Sequence, residues 1–144
     1  PNTVNSFIQY IQDGDFDNNE FHRVVNEVLI QGGKLESQTC TIPGEMAANE
    51  FENELEHEPG VISMARVGED YNSATSQFFI LLSKTQDLDG AYASFGGVVS
   101  GFHIIQYIAS LQSLETETPI APIIITSMTV DLKSYEPVDR VCND

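Results

Sequence analysis

Apolar residues at Val4, Phe7, Ile8 and Ile11 follow the i, i+3, i+4, i+7 spacing of one helix face. Pro1-Asn2-Thr3 before them and Gly14 after them act as start and stop signals, which predicts an amphipathic helix at the beginning of the chain. Beyond it the pattern changes. Short runs rich in β-branched and aromatic residues at 21–25, 28–31, 61–65, 78–82 and 95–99, with a last one near 122–130, read as strands of ordinary length. Asp89-Gly90 is a turn signal, and 92–99 continues from it as a strand. Within 102–108, Ile104, Ile105 and Ile108 return to helical spacing and predict a second helix. Many short strands with only two helices predict a mainly β fold, a closed antiparallel barrel, because closure removes exposed strand edges.

Composition narrows the classes of function. A chain of 144 residues forms one domain around one core, read here as residues 1–135 followed by a polar tail, 136–144. No run approaches the roughly 18 apolar residues of a membrane-spanning helix, so membrane insertion is not expected. Acidic side chains number 22 against 6 basic ones, a formal charge of −16 that repels phosphate backbones and anionic lipid and excludes nucleic acid as an expected partner. Glu45, Glu50, Glu52, Glu54 and Glu56 read as a solvated acidic face, since the stretch lacks the Asp/Asn ligands and central glycine of a calcium-binding loop. Cys40 and Cys142 are the only cysteines, too few for a disulfide scaffold or a four-cysteine zinc site, and read as unpaired. His22 reads as structural, and His57 and His103 as surface or helix residues.

One charge stands out. Arg23, one of three arginines, lies in Phe21-His22-Arg23-Val24-Val25, next to Val28-Leu29-Ile30-Gln31-Gly32-Gly33. An arginine among aromatic and β-branched residues in so acidic a chain is expected to face a pocket, with Ile62-Ser63-Met64-Ala65-Arg66 and Ser76-Gln77-Phe78-Phe79-Ile80 supplying apolar wall. Together with Gly44-Glu45 to Phe51-Glu52, Leu88-Asp89-Gly90 and Phe95-Gly96, these segments resemble the cyclophilin-type peptidyl-prolyl isomerases from Pro1 to about Val130. The resemblance implies an eight-stranded barrel capped by a helix at each end. That family normally has a β-hairpin before its first helix, whereas this chain opens at the helix itself, so the first two strands are expected to be absent from it. Unless other residues fill that place, the open edges should weaken the fold or promote dimerisation, which a monomeric, stably folded chain in sedimentation and thermal melting would contradict.

The resemblance also implies an activity: cis/trans isomerisation of the bond preceding proline, assisting protein folding or switching proline-containing loops, without a cofactor. Resonance gives that bond a rotational barrier of about 18–20 kcal/mol. Twisting localises a lone pair on the prolyl nitrogen, and Arg23 is placed to donate a hydrogen bond to it without any proton transfer. Val28, Leu29, Phe79, Leu88 and Tyr92 match the family's proline pocket, although from pattern alone Leu29 and Phe79 read as barrel core. Gln31 and Gln77 match positions that orient the arginine and bind the substrate backbone, Ala65 and Arg66 match the adjacent groove strand, and Val25 is a further candidate. The implied partners are proline-containing peptides and unfolded or flexible protein segments.

Three departures from the family pattern bear on binding. Asp87 stands where many members carry tryptophan or histidine, and the chain has no tryptophan, which counts against tight binding of cyclosporin. Asn26-Glu27-Val28-Leu29 replaces a frequent Pro-Gly-Phe-Met, removing an aromatic wall and lowering the expected affinity for substrate. Arg66 and the short connection from Gly14 to Phe21 resemble the shorter bacterial-type members. Asp87, Val28 and the absent first hairpin also motivate a rival from another class, a non-catalytic proline-peptide-binding or chaperone-like module. A cation-binding acidic domain is a third reading, and it predicts saturable calcium-dependent stabilisation beyond that of matched ionic strength.

Overall fold

The structure is a computed structural model describing residues 1–111 and 113–144. Helix α1 (Asn2–Gln12) is followed by strands β1 (Asn19–Glu20), β2 (Arg23–Val25), β3 (Leu29–Gly32), β4 (Val61–Met64), β5 (Phe78–Leu81) and β6 (Ser94–Gly97), then helix α2 (Phe102–Ser110) and strand β7 (Ile124–Ile125). Antiparallel pairing gives a five-stranded sheet in the order β2-β3-β5-β4-β6, and β1 pairs with β7. Backbone bonds from Phe21 N–H to the Ile123 carbonyl (3.0 Å) and from Val24 N–H to the Glu117 carbonyl (2.8 Å) join the two sheets around a common core. Both helices stand where the spacing puts them, and every strand except β1 falls within an apolar run or one residue beyond it. Two runs are shorter than expected: only Ser94–Gly97 of 92–99 and Ile124–Ile125 of 122–130 pair as strands. Strand β1 carries two polar residues and has no apolar alternation to reveal it.

Side chains alternate across a strand, so each central strand serves two compartments. Val24 of β2, Ile30 of β3, Phe78 and Ile80 of β5 and Met64 of β4 point into the main core with Tyr10 and Phe16. Phe7 and Phe16 meet Phe78 with ring centroids 5.2 and 5.5 Å apart in edge-on geometry, which seats α1 on the sheet. Leu29 of β3 and Phe79 and Leu81 of β5 face the other way and form a second cluster with Val25, Val28, Ala65, Leu88 and Tyr92. This corrects the pattern-based placing of Leu29 and Phe79 in the barrel core, because alternation turns them to the opposite face of the sheet from Ile30 and Phe78.

Three further expectations are revised. Glu45 is buried rather than part of a solvated face, and its carboxylate accepts the Asn2 and Thr3 backbone N–H groups at 3.1 and 2.5 Å. A negative charge at the first turn of α1 satisfies otherwise orphaned donors, whereas Glu50, Glu52, Glu54 and Glu56 do stay exposed. His57 is buried as well, while His103 lies exposed on α2. Cys40 and Cys142 are bonded to one another, not unpaired, with Cα atoms 5.2 Å apart. The end of the chain runs back along the loop after β3, where Asn143 N–H donates to the Thr41 carbonyl (2.8 Å) and Val141 N–H to Asn2 Oδ1 (2.8 Å). Those contacts bring together two cysteines separated by 102 positions, which spacing cannot reveal.

Gly33, the residue after β3, has φ +81°, and a Cβ there would stand 2.5 Å from the Ser76 carbonyl oxygen. Gly33→Ala therefore combines a left-handed backbone with a backbone clash, and is expected to destabilise the fold by at least about 2 kcal/mol, read as a lower urea midpoint.

Candidate active site

Strand register builds the site. Arg23 pairs with Gln31, Gln31 with Phe79 and Phe79 with Ser63, so four side chains from β2, β3, β5 and β4 form one row across the sheet, on the face away from the main core. Above this row opens a cleft of about 340 Å³ lined by Arg23, Val28, Leu29, Gln31, Ala65, Arg66, Phe79, Leu81, Thr85, Leu88 and Tyr92. A roomier opening of about 530 Å³ lies elsewhere, against Val4, Phe51, Leu55 and Phe95. It is lined by Glu45, Glu52 and Glu54 and contains no arginine or lysine, so size alone does not mark the reactive site.

Within the cleft the guanidinium is held in place. Arg23 Nη1 donates to Gln31 Oε1 at 3.1 Å, and Gln31 Nε2 donates in turn to Gln77 Oε1 at 3.0 Å. On its other side Arg23 Nε donates to Glu117 Oε2 at 2.8 Å, an ion pair that leaves both side chains half-exposed. Beside it, His22 is partly buried; burial first, and then the nearby Lys34 charge, hold its ring below its ordinary pKa and favour the neutral form. The apolar wall is Phe79, whose ring meets Tyr92 edge-on at 5.9 Å between centroids. The Arg66 guanidinium lies over two aromatic rings, 4.3 Å from the centre of Tyr92 and 4.7 Å from that of Tyr71, while its Nε donates to the Ala91 carbonyl at 3.0 Å.

The residues singled out from the sequence divide clearly. Arg23, Val28, Leu29, Gln31, Ala65, Arg66, Phe79, Leu88 and Tyr92 all line the cleft. Val25 packs into the apolar cluster beneath it, and Gln77 meets it through Gln31. Asp87 does not line it. The short 3-10 helix Gln86–Leu88 has three residues per turn, so Thr85 and Leu88 share the inward side and Asp87 points to solvent. Thr85 and Leu81 are lining residues that sequence reasoning missed; Leu81, two residues after Phe79, was accessible by alternation alone.

Beneath Phe79 a polar relay runs from the buried Ser63 and His57 out to the exposed Asp89. The His57 ring stacks on Phe79 with centroids 6.3 Å apart; its Nδ1 is 2.7 Å from Asp89 Oδ1 and its Nε2 is 2.9 Å from Ser63 Oγ. The order Ser, His, Asp resembles an activated nucleophile, but Ser63 is fully buried and no carbonyl carbon can reach its hydroxyl. The relay braces the floor of the cleft. Burial pushes the Asp89 carboxyl up, but hydrogen bonds from the His57 backbone N–H and ring outweigh this and hold its pKa below the ordinary value. A depressed folded pKa contributes stability above the unfolded value of about 4, which is lost as pH falls through the folded value. Melting temperature should therefore drop on acidification below about pH 4, and by less in Asp89→Asn, which retains an oxygen acceptor but does not titrate. Parallel melting curves of equal slope for parent and variant would contradict this.

Comparisons against known proteins place the whole chain rather than any single residue. Residues 1–130 match the family described as cyclophilin type peptidyl-prolyl cis-trans isomerase/CLD. The peptidyl-prolyl cis-trans isomerase CYP18-2 of Arabidopsis thaliana is 36% identical over 124 residues, covering 83% of this chain and 74% of that protein. Peptidyl-prolyl cis-trans isomerase B of Escherichia coli is 34% identical over 145 residues, covering 90% of this chain and 87% of its own length. Among solved structures, a Cryptosporidium parvum cyclophilin type isomerase, crystallised in the presence of the dipeptide Ala-Pro, superposes with a TM-score of 0.79 at 27% identity, over 88% of this chain and 83% of that one. By sequence and by fold, the chain belongs to the cyclophilin-type peptidyl-prolyl cis-trans isomerases.

Proposed function

We propose that the rotation about Xaa-Pro bonds that defines this family is carried out here in the Arg23 cleft, with Arg23 as the catalytic residue and Phe79, Leu29, Val28, Leu88 and Tyr92 receiving the prolyl ring. One observation carries the reading: the cross-strand row that sets a hydrogen-bonded guanidinium beside a buried aromatic wall. The prolyl nitrogen has no available lone pair while the amide is planar. As the bond twists, the lone pair localises and Arg23 gains an acceptor, so the contact stabilises the transition state more than the ground state. The planar amide is also the more charge-separated form, and an apolar wall that displaces water favours the twisted one. Gln31 and Gln77 orient the guanidinium and offer hydrogen bonds to the substrate backbone, and Ala65 and Arg66 border the groove along which the peptide lies. The substrates are proline-containing peptides and flexible or unfolded protein segments, bound without a cofactor.

In the refolding of a protein whose slow phase is limited by an Xaa-Pro bond, substoichiometric amounts of the chain should shorten that phase without changing its final amplitude. An unaltered slow phase, with the unfolded protein nevertheless bound, would favour the rival reading of a non-catalytic binding module. That rival is motivated by Val28 in place of an aromatic wall.

A further inference from the structure

The guanidinium of Arg23 is gripped from two sides, and only one grip comes from the sheet. Gln31 lies opposite it by strand register. Glu117 reaches it across 94 positions of sequence, from the turn that follows α2. The local backbone is shaped to make that contact. Leu114 and Thr118 are joined by a backbone bond of 2.8 Å, and Glu117 N–H closes the turn onto the Leu114 carbonyl at 2.8 Å. The Glu117 carbonyl accepts the N–H of Val24, the residue next to Arg23, also at 2.8 Å. Glu117 itself sits at φ +66°, a left-handed position that favours glycine or asparagine. A long acidic side chain stands there instead, and its carboxylate meets Arg23 Nε.

From this geometry we infer that Glu117 is a positioning residue for isomerisation, locking the orientation of Arg23 so that its remaining N–H groups face the cleft. The inference rests on the reading of Arg23 as catalytic. A guanidinium has five N–H donors; Glu117 takes the one on Nε and Gln31 one on Nη1, which leaves the two on Nη2 and one on Nη1 for substrate. A long side chain that is half-exposed would otherwise sample several rotamers, and each departure from the productive one lowers turnover without weakening the apolar contacts that bind proline. An exposed pair has a modest effect, so Glu117→Gln should lower kcat by about two- to fivefold with KM nearly unchanged. The backbone bond to Val24 survives that substitution.

The test measures kcat and KM for an Ala-Pro peptide by exchange spectroscopy in the parent, Glu117→Gln, Arg23→Ala and the double variant. Glu115→Gln, an exposed glutamate on the same turn, serves as a charge control. The Arg23 Nε–H resonance is followed in the parent, Glu117→Gln and Glu115→Gln, which retain the arginine. Glu117→Gln is expected to lower kcat and shift that resonance, Glu115→Gln to do neither, and the double variant to match Arg23→Ala. A purely structural role would lower activity equally in both arginine backgrounds, and that result would overturn the inference, as would an unchanged or raised kcat in Glu117→Gln. If the parent and Glu117→Gln behave alike while Arg23→Ala is inactive, the positioning role fails and the catalytic reading stands. A folded parent that does not accelerate exchange overturns both.

Discussion

Arg23→Ala is expected to lower kcat/KM for an Xaa-Pro peptide by about ten- to a hundredfold while leaving the fold intact. The magnitude follows from what one side chain can supply: a hydrogen bond to a charged group is worth roughly 1.5–3 kcal/mol, and each 1.36 kcal/mol is about tenfold in rate. The loss should fall on kcat rather than on KM, because the acceptor exists only while the bond is twisted. Some acceleration should survive, since the apolar wall formed by Phe79 and Leu29 still removes water from the amide. The fold should tolerate the change. Arg23 is half-exposed at the end strand of its sheet, and removing it leaves the Val24 backbone bonds in place. A variant with parent-like kcat would mean that desolvation alone drives the rotation.

The second large effect concerns stability. Replacing Cys40 and Cys142 together by serine is expected to cost about 2–5 kcal/mol, measured by urea denaturation against the oxidised parent. The bond closes a loop of about a hundred residues, and in the chain-entropy account the gain from cross-linking grows with loop size. It also anchors a segment that otherwise makes a few polar contacts to Thr41, Asn72 and Asn2 and a stacking contact of Arg140 on Tyr10, 4.3 Å from the ring centre. No residue of this segment lines the Arg23 cleft, so isomerisation measured well below the melting midpoint should be retained. An unchanged midpoint in the double serine variant would show that the packed chain end holds itself without the cross-link.

What could be read from the sequence was whatever repeats locally. Helical spacing located both helices, and runs of β-branched and aromatic residues located the central strands, because those patterns come from burial of one face at a time. Alternation alone, however, does not say which face is the core: Phe78 and Phe79 are equally apolar, and only the packing of Phe7 and Phe16 on Phe78 gives them different roles. Most of the cleft lining was legible through family resemblance, since Arg23, Gln31 and Phe79 keep the resemblance's order and spacing. Contacts made across long sequence separations left no local trace. Glu45 capping α1, the cross-link from Cys40 to Cys142 and the pairing of Glu117 with Arg23 each depend on chain segments that meet only after folding. His57 was misplaced for the same reason, because its partners Asp89 and Ser63 lie on a turn and a strand that bring polar groups into an otherwise apolar floor. Asp87 shows the converse: its position in the sequence matched a binding site, but the pitch of a three-residue turn directs it to solvent.

The most direct test of the account is the cis/trans exchange rate of a short Ala-Pro peptide, measured by NMR exchange spectroscopy with substoichiometric amounts of the folded chain and, in parallel, of folded Arg23→Ala. Clear acceleration by the parent is expected, with a rate at least about tenfold lower in the variant. A folded parent that binds the peptide yet leaves its exchange rate at the uncatalysed value would contradict it.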